Sequence, residues 1–161
     1  MHRFIPLLFL ITLCAALFVS LSIVQDRQVT TIQVVEITLP EDITEFPRGR
    51  AFAINIFASW CAPCRVEAPL VSELAKSGVP IIGVNLRDSP PEAEKFLNDF
   101  GNPFEKIIAD ENGQFMMRLG ATGIPETLLV DDKGVVRYRF AGPITQAALE
   151  KEILPMWEKI K

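Results

Sequence analysis

Two cysteines separated by two residues form the most reactive pattern in this sequence. Residues 60–64 read Trp-Cys-Ala-Pro-Cys, and they stand between an apolar run and a segment with helical spacing. At the start of a helix, unpaired N–H groups and the helix dipole favour the thiolate form of a cysteine. We therefore predict that Cys61 attacks disulfides, and that Cys64, one helical turn later, displaces the mixed disulfide that Cys61 forms.

Two other uses of such a pair are a structural disulfide and half of a zinc site. A bridge between Cys61 and Cys64 closes a very small loop, so a structural disulfide would add little stability. A zinc site needs four ligands, and the chain has three cysteines and one histidine, His2. Redox catalysis through a Cys61–Cys64 disulfide is the favoured interpretation, and it requires no metal and no further cofactor.

The composition limits the class of protein. The 161 residues are 49% hydrophobic and 22% charged, which is typical of one globular domain with an apolar core. The 16 basic residues are outnumbered by 20 acidic ones, and a net charge of −4 argues against a large basic surface for nucleic acid. Because the single histidine is His2, the globular part cannot supply a catalytic histidine, and this excludes many classes of hydrolase.

The elements around the cysteines follow from hydrophobic periodicity. Residues 51–58 form a nearly unbroken apolar run of strand length in which Asn55 is the polar exception, as expected for a strand buried on both faces. Apolar residues at helical spacing then run from Val66 to Leu74, and Val79–Leu86 is a second buried strand. This order predicts a βαβ unit with the cysteines at the junction of its first strand and its helix.

The rest of the chain predicts further strands and helices. Ser89, Pro90 and Glu92 form a helix start with a capping box. The remaining predicted elements are strands at Lys106–Ala109, Thr127–Val130 and Val135–Phe140, a short helix at Phe115–Leu119, and a last helix that Pro155 kinks. The order implies an α/β fold with a mixed central sheet and helices on both faces.

The N-terminus carries a segment that can span a bilayer. Phe4–Val24 is 21 residues long and has no charge. Arg3 precedes it, so the segment is predicted to be an uncleaved transmembrane signal anchor with the N-terminus in the cytoplasm. A cleaved signal peptide is the alternative, but its apolar region is usually shorter. The predicted organisation is a cytoplasmic N-terminus (1–3), the anchor (4–24), a linker with a short strand or hairpin (25–50), and the folded domain (51–161).

Two motifs of the chain resemble the thioredoxin superfamily. The first is the Trp-Cys-x-Pro-Cys segment after an apolar strand, with Pro69 eight residues beyond the first cysteine. The second is residues 122–127, Thr-Gly-Ile-Pro-Glu-Thr, which precede a strand where members of this superfamily carry a cis-proline facing the disulfide. The resemblance implies a thioredoxin-like fold in which Pro125 is the cis-proline and the backbone of Ile124 pairs with an extended substrate strand.

Within that superfamily the chain is most similar to the membrane-anchored cytochrome c maturation reductases of the CcmG/DsbE type, which are related to ResA and TlpA. The similarity covers the folded domain and the anchor, and residues 102–119 match the central insert of this group. The segments that carry the resemblance are 55–67, 83–86, 123–127 and 137–142.

The resemblance implies a role in cytochrome c maturation. In that family the dithiol reduces the disulfide of a haem-binding motif in apocytochrome c, or a mixed disulfide with a maturation partner, so that haem can be attached. A membrane thiol transporter of the DsbD or CcdA kind supplies the electrons. By this resemblance the domain lies in the bacterial periplasm and is anchored in the inner membrane. The oligomeric state stays open, and a monomer is expected because the sequence of the exported domain suggests no long exposed apolar face.

Two polar positions distinguish this group from ordinary thioredoxins. Asn55 stands where thioredoxin keeps a buried aspartate, and Glu67 resembles the glutamate that these reductases place near the disulfide. On a helix, Glu67 lies on the same side as Cys64. A half-buried carboxylate there would have a raised pKa and would take the proton of Cys64 as Cys64 attacks. A solvated glutamate that pairs with a lysine or arginine is the alternative.

Five residues are expected to bind substrate or to shape the site. They are Trp60, Pro63, Ile124, Pro125 and Glu126. Trp60 is expected to form an apolar rim beside the first cysteine. Glu126 is interpreted either as part of an acidic groove in which the substrate lies or as a surface charge.

Two other functions would use the same cysteines. One is broader thiol:disulfide exchange, as in a TlpA-like reductant for copper-site assembly or a DsbA-like oxidant, although DsbA-like proteins usually carry a large helical insertion that this chain has no room for. The other is a copper-binding metallochaperone with Cys61 and Cys64 as ligands. Such a copper site would require a third ligand, for example a distant histidine.

Overall fold

The computed structural model describes residues 37–39 and 44–161. Its elements are strands β1 (Ile37–Thr38), β2 (Phe52–Phe57), β3 (Ile81–Leu86), β4 (Lys106–Asp110), β5 (Glu126–Val130) and β6 (Val135–Ala141), and helices α1 (Ala62–Lys76), α2 (Pro90–Phe100), α3 (Gln114–Arg118), α4 (Gln146–Ala148) and α5 (Leu154–Ile160). A π-helical segment, Leu149–Ile153, joins α4 to α5.

The predicted anchor lies outside the described residues, and none of the helices within them combines the length and apolar character needed to cross a membrane.

The strands form one mixed sheet in the order β1-β6-β5-β2-β3-β4. β2, β3 and β4 run parallel to one another. On the other side of β2, β5 pairs antiparallel with β2, and β6 pairs antiparallel with β5. α1 and α2 make the two connections between the parallel strands, as the predicted βαβ order requires.

Helices cover both faces of the sheet, as predicted. On one face, Val71 and Leu74 of α1 pack with Leu149, Ile153 and Trp157 of the C-terminal helical region. On the other face, Leu119 and the half-buried Phe115, at and beside α3, pack against the residues of β2 that point the opposite way. The chain therefore has the α/β architecture, with a mixed sheet between helices, that its sequence predicts.

β2 lies in the middle of the sheet, and this position explains its sequence. It pairs with β3 on one side and β5 on the other, and all six of its residues are buried. A strand with both faces and both edges covered needs apolar side chains at successive positions. Its carboxyl end leads directly into the turn that carries Cys61, so the most constrained strand of the fold positions the redox pair.

The folded domain begins earlier than the predicted boundary at residue 51. β1 pairs antiparallel with β6 at the edge of the sheet. Leu39 and Phe46 are 1% and 3% exposed, and Phe46 stacks on Phe52 with ring centroids 5.8 Å apart. The short strand predicted within residues 25–50 is therefore present as β1, and this segment also adds Leu39 and Phe46 to the core. The sequence did not reveal these two core residues, because periodicity detects regular elements and not isolated apolar side chains.

Two helix features were predicted from single residues. The Glu92 carboxylate accepts hydrogen bonds from the Ser89 N–H at 3.1 Å and from the Ser89 hydroxyl at 2.6 Å, which fixes the start of α2. Near the C-terminus, the regular helix is interrupted by the π-helical segment directly before Pro155. Because proline cannot donate a backbone hydrogen bond, a local change of helical geometry at this point is expected.

A glycine allows aromatic rings to pack under the redox pair. A Cβ atom at Gly83 of β3 would lie 2.9 Å from Cγ of Phe104 and 3.0 Å from Cε1 of Phe57. The rings of Phe57 and Phe104 stack with centroids 4.8 Å apart, and Phe57 also contacts Phe96 of α2. Because Gly83 has no side chain, the rings of Phe57, Phe96 and Phe104 can pack together beside the redox pair. We call these three rings the aromatic floor of the site.

Candidate active site

The two cysteines lie at the start of α1 and are joined by a disulfide. Cys61 is the N-cap residue of the helix, and the Cα atoms of Cys61 and Cys64 are 5.3 Å apart. The N–H of Cys64 points to Sγ of Cys61 at 3.2 Å. This is an orphan N–H of a helix start, and in the reduced protein it would stabilise a thiolate on Cys61.

Both cysteines are largely buried, and Cys61 is slightly the more accessible of the two. Cys61 is 4% exposed and Cys64 is 1% exposed. Around them lie exposed apolar surfaces. Trp60 is 55% exposed and its indole Nε1–H donates to the Leu86 carbonyl at 3.2 Å, while Pro63 is exposed in the first turn of the helix. Trp60 and Pro63 are therefore the exposed apolar side chains that flank the redox pair in the chain.

The segment before β5 completes the surroundings of the disulfide. The Ile124–Pro125 peptide bond is cis, as the resemblance implied. Ile124 packs against the apolar cluster that contains both cysteines. Among the described residues, no hydrogen bond uses the amide or the carbonyl of Ile124. Both groups are therefore without a hydrogen-bond partner in this part of the chain.

Glu67 is buried more deeply than the sequence predicted. It is 1% exposed, so the solvated-charge interpretation is wrong and the half-buried one underestimates its burial. Its Oε1 accepts from Asn55 Nδ2 at 2.9 Å and its Oε2 accepts from the Ile144 N–H at 2.8 Å. Burial raises the pKa of Glu67 to about 7, against the opposing effect of these two hydrogen bonds. Glu67 can therefore hold or release a proton near neutral pH.

Asn55 connects this carboxylate to the sheet. Its Nδ2 also approaches the Thr127 hydroxyl at 3.1 Å, across the β2–β5 pair. An amide at this position donates to Glu67 at any pH, whereas an aspartate would add a second negative charge in the same buried space. With asparagine at position 55, Glu67 is the carboxylate of this pair, whereas an aspartate at position 55 would place two carboxylates side by side.

A small cavity is lined by both Glu67 and the second cysteine. It has a volume of about 10 Å³, close to the space that one water molecule needs. Its wall includes Asn55, Cys64 and Glu67 together with apolar side chains of α1 and the aromatic floor. Glu67 and Cys64, three residues apart on α1, thus line one common space.

Glu126 is neither a surface charge nor the wall of an exposed groove. It is 1% exposed and forms an ion pair with Arg139 of the neighbouring strand β6. Its Oε2 accepts from the Thr122 N–H at 3.3 Å. The carboxylate therefore helps to hold Thr122, at the start of the segment that carries Ile124 and Pro125, beside β6.

Replacing Glu126 with glutamine should destabilise the protein by about 3 kcal/mol, because Arg139 would keep a buried charge without its partner. Unfolding in urea, with the free energy extrapolated to water, measures this loss. Glu105→Gln is a matched control, since Glu105 pairs with Arg50 at the surface with both side chains about half exposed. The control should change stability by less than about 1 kcal/mol. Equal effects of the two substitutions would contradict the structural role of the buried pair.

Sequence reasoning missed a polar cluster beside the cysteines. Ser59, Asn85 and Asp88 are joined by hydrogen bonds at the carboxyl ends of β2 and β3. The available signal was the position of polar residues just after two neighbouring parallel strands, whose ends meet at one edge of a sheet. No group of three or more His, Cys, Asp or Glu side chains is arranged to hold a metal ion in the part of the chain that the structure describes.

The proteins that this chain resembles are named for the thiol:disulfide chemistry that a cysteine pair performs. Residues 39–153 match the family model described as Redoxin. Over 98% of its length the chain is 38% identical to the "Probable thiol:disulfide interchange protein DsbE-2" of Pasteurella multocida, of which it covers 89%. It is 40% identical to the thiol:disulfide interchange protein DsbE of Haemophilus influenzae over 71% of this chain and 64% of that protein.

A solved structure extends the likeness to three dimensions. The structure of MTB DsbF in its mixed oxidized and reduced forms has a TM-score of 0.57 and 30% sequence identity to this chain, and the match covers 68% of this chain and 82% of that one. The fold is thioredoxin-like. The chain therefore belongs to the Redoxin family and, within it, to the DsbE-type thiol:disulfide interchange proteins, and it is a thiol:disulfide oxidoreductase with the pair Cys61 and Cys64.

Proposed function

We propose that this protein is a membrane-anchored periplasmic reductant of cytochrome c maturation. Its substrate is the disulfide of apocytochrome c, or that of a cytochrome c maturation protein. The observation that carries the proposal is the sequence match to DsbE proteins. In one of these relatives the match spans 98% of this chain, so it includes most of the apolar run at the N-terminus. That run, Phe4–Val24, anchors the domain in the inner membrane.

The reaction begins with the reduced pair. The Cys61 thiolate attacks one sulfur of the substrate disulfide, which forms a mixed disulfide and releases the other substrate sulfur as a thiolate that takes up a proton. Cys64 then attacks the Sγ of Cys61 and expels the second substrate sulfur. Two electrons and two protons have then passed to the substrate, and Cys61 and Cys64 are joined as the structure has them.

Glu67 serves the second step of this reaction. Cys64 is buried and must lose its proton before it can attack, and solvent has little access to it. Glu67 faces the same small cavity and has a pKa of about 7, so its carboxylate takes the Cys64 proton. The hydrogen bond from Asn55 holds the carboxylate in this orientation.

The substrate lies across the exposed rim of the site. Its backbone pairs with the amide and carbonyl of Ile124 as an added strand, with Pro125 beside the disulfide. Trp60 and Pro63 contact the residues that flank the substrate cysteine. No cofactor is required, because the cysteine pair itself carries both electrons, and a membrane thiol transporter of the DsbD or CcdA type returns the pair to the dithiol state.

Deletion of the gene in its own host tests the proposal. We expect covalent haem attachment to c-type cytochromes, measured by haem staining of membrane proteins on denaturing gels, to be lost and then restored by the wild-type gene but not by Cys61→Ser. A membrane-permeant thiol reductant in the medium should restore attachment without the gene, because the missing step is a reduction. Haem attachment that is unaffected by the deletion would overturn the cytochrome role and leave the oxidoreductase activity in place.

The direction of electron flow has its own test. The reduction potential of the Cys61–Cys64 pair should lie well below the value of about −120 mV that is typical of the oxidant DsbA. Equilibration of the full-length protein, purified in detergent, with glutathione or dithiothreitol buffers measures it. A potential near that of DsbA would mean that the protein makes disulfides, and the reductant role would be wrong.

A further inference from the structure

One carboxylate connects the turn before Cys61 to the loop after β3. Oδ2 of Asp88 accepts from the Ser59 N–H at 2.7 Å and from Asn85 Nδ2 at 2.7 Å, and its Oδ1 accepts from the Ser59 hydroxyl at 2.6 Å. All three contacts are donated to Asp88, which suits an ionised carboxylate because it can only accept. We call this set of contacts the Asp88 clamp.

The backbone is shaped to bring Asp88 to this position. Arg87 has a φ of 51°, a left-handed conformation that is uncommon for a residue other than glycine. Its N–H donates to the Asp110 carbonyl at 3.0 Å, and the preceding Leu86 carbonyl accepts from the indole of Trp60. The end of β3 and the loop that follows it therefore contact segment 59–60 at two points, once through Leu86 and once through Asp88.

Ser59 is also held from the other side. The guanidinium of Arg65 donates to the Ser59 carbonyl from Nε at 3.1 Å and from Nη2 at 2.5 Å. All the hydrogen-bonding groups of Ser59 thus have partners, and these partners come from α1 and from the loop after β3. A serine two residues before the attacking cysteine is fixed more firmly than an ordinary turn residue would be.

The clamp places a negative charge near the start of α1. Ser59 and Cys61 are two peptide units apart, so their Cα atoms are at most about 7.6 Å apart. The negative charge of Asp88 repels a second negative charge near the start of α1, in this case the Cys61 thiolate. The other charged groups near the turn are Arg65, the buried Glu67 behind Cys64, and Glu92, Lys95 and Asp99 of α2, of which Lys95 and Asp99 pair with each other.

We propose that Asp88 is a positioning residue of the redox pair: it fixes the turn before Cys61, and its charge makes the dithiol less stable relative to the disulfide, so that the pair is more reducing. The physical reason is that the potential of a dithiol pair rises when its thiolate is stabilised, because this favours the reduced form. The inference rests on the oxidoreductase activity and not on the cytochrome role.

Equilibration with glutathione tests the proposal. The exchange is protein disulfide plus two glutathione thiols giving protein dithiol plus glutathione disulfide, so two electrons pass to the protein. Asp88→Asn in the full-length protein should shift the equilibrium constant about fivefold towards the dithiol, which corresponds to a potential about 20 mV higher for a two-electron couple. Asp88→Ser, which also lacks the charge, should give the same direction and serves if Asp88→Asn does not fold.

Three comparisons separate the charge from a merely structural effect. Asp88→Glu keeps the charge and should stay within twofold of the wild-type constant. Ser59→Ala loses one hydrogen bond of the clamp but keeps the carboxylate, so it should lower the melting temperature and leave the constant within twofold. Glu94→Gln removes an exposed charge of α2 that forms no hydrogen bond with Ser59, Asp88 or Ser89 among the described residues, and it should also stay within twofold. A wild-type constant in both charge-free variants, or an equal shift in Glu94→Gln, would overturn the proposal.

Discussion

Cys61→Ser should reduce disulfide reductase activity to the uncatalysed background, whereas Cys64→Ser should produce a protein that accumulates in mixed disulfides with its substrates. The attacking sulfur is the one at the helix N-cap, where the N–H of Cys64 points at it and where it is the more accessible of the two. Without Cys64 nothing displaces the first mixed disulfide from inside the protein. Reduction of insulin measures activity, and gels without reductant detect the adducts.

The third cysteine of the chain supplies the control for this experiment. Cys14 lies in the apolar run at the N-terminus, far in sequence from the Trp-Cys-Ala-Pro-Cys segment. Cys14→Ser removes one thiol and should leave both insulin reduction and the pattern of adducts as in the wild type. If Cys61→Ser and Cys64→Ser each retain full activity, the assignment of the catalytic pair is wrong.

The parts of the fold that the sequence predicted are those governed by local pattern. β2 and β3 are recognisable because strands covered on both faces need apolar residues throughout, and α2 is recognisable because Ser89 and Glu92 cap it within four residues of chain. The cysteine motif at the end of β2 could be interpreted for the same reason. Its chemistry depends on a strand followed by a helix, and both elements leave a local signal.

The features that the sequence did not predict depend on partners far away in the chain. The second hydrogen bond to Glu67 comes from Ile144, 77 residues later, so the depth of its burial could not be inferred from the helix alone. Glu126 was interpreted as part of a substrate groove or as a surface charge, because its partner, Arg139, lies across a strand pair and leaves no local signal. The Asp88 clamp joins residues 29 positions apart. In each case a local pattern does not show which two polar groups, distant in sequence, the fold brings together.

Stability should depend on pH through Glu67, and the sign follows from the direction of its pKa shift. The unfolded value is near 4.5 and the folded value is about 7, so the folded protein binds more protons than the unfolded chain between these two values. The stabilising effect is complete below about pH 4.5 and is lost as the pH rises through 7. It amounts to about 3 kcal/mol. Glu67→Gln should remove this part of the pH dependence, measured by urea unfolding of the oxidised protein.

The same substitution should slow the resolution of the mixed disulfide by about 100-fold near neutral pH. Glutamine has the size of glutamate and can still accept from Asn55, but it cannot take the Cys64 proton. The wild-type rate should rise through pH 7 as Glu67 ionises, whereas the variant should speed up only near pH 8.5, where a thiol ionises unaided. Stopped-flow release of a fluorescent peptide from a preformed Cys61 mixed disulfide gives both profiles.

A second glutamate on the same helix shows whether the effect belongs to the buried position. Glu73 is exposed on α1, so Glu73→Gln makes the same change of charge in the same element without altering the cavity beside Cys64. Its rate profile should overlay the wild type. Two identical profiles for Glu67→Gln and the wild type would show that water, and not the carboxylate, accepts the proton. Glu67 would then act through the packing of α1 against Ile144 alone, because its hydrogen bond to that backbone N–H is independent of any proton transfer.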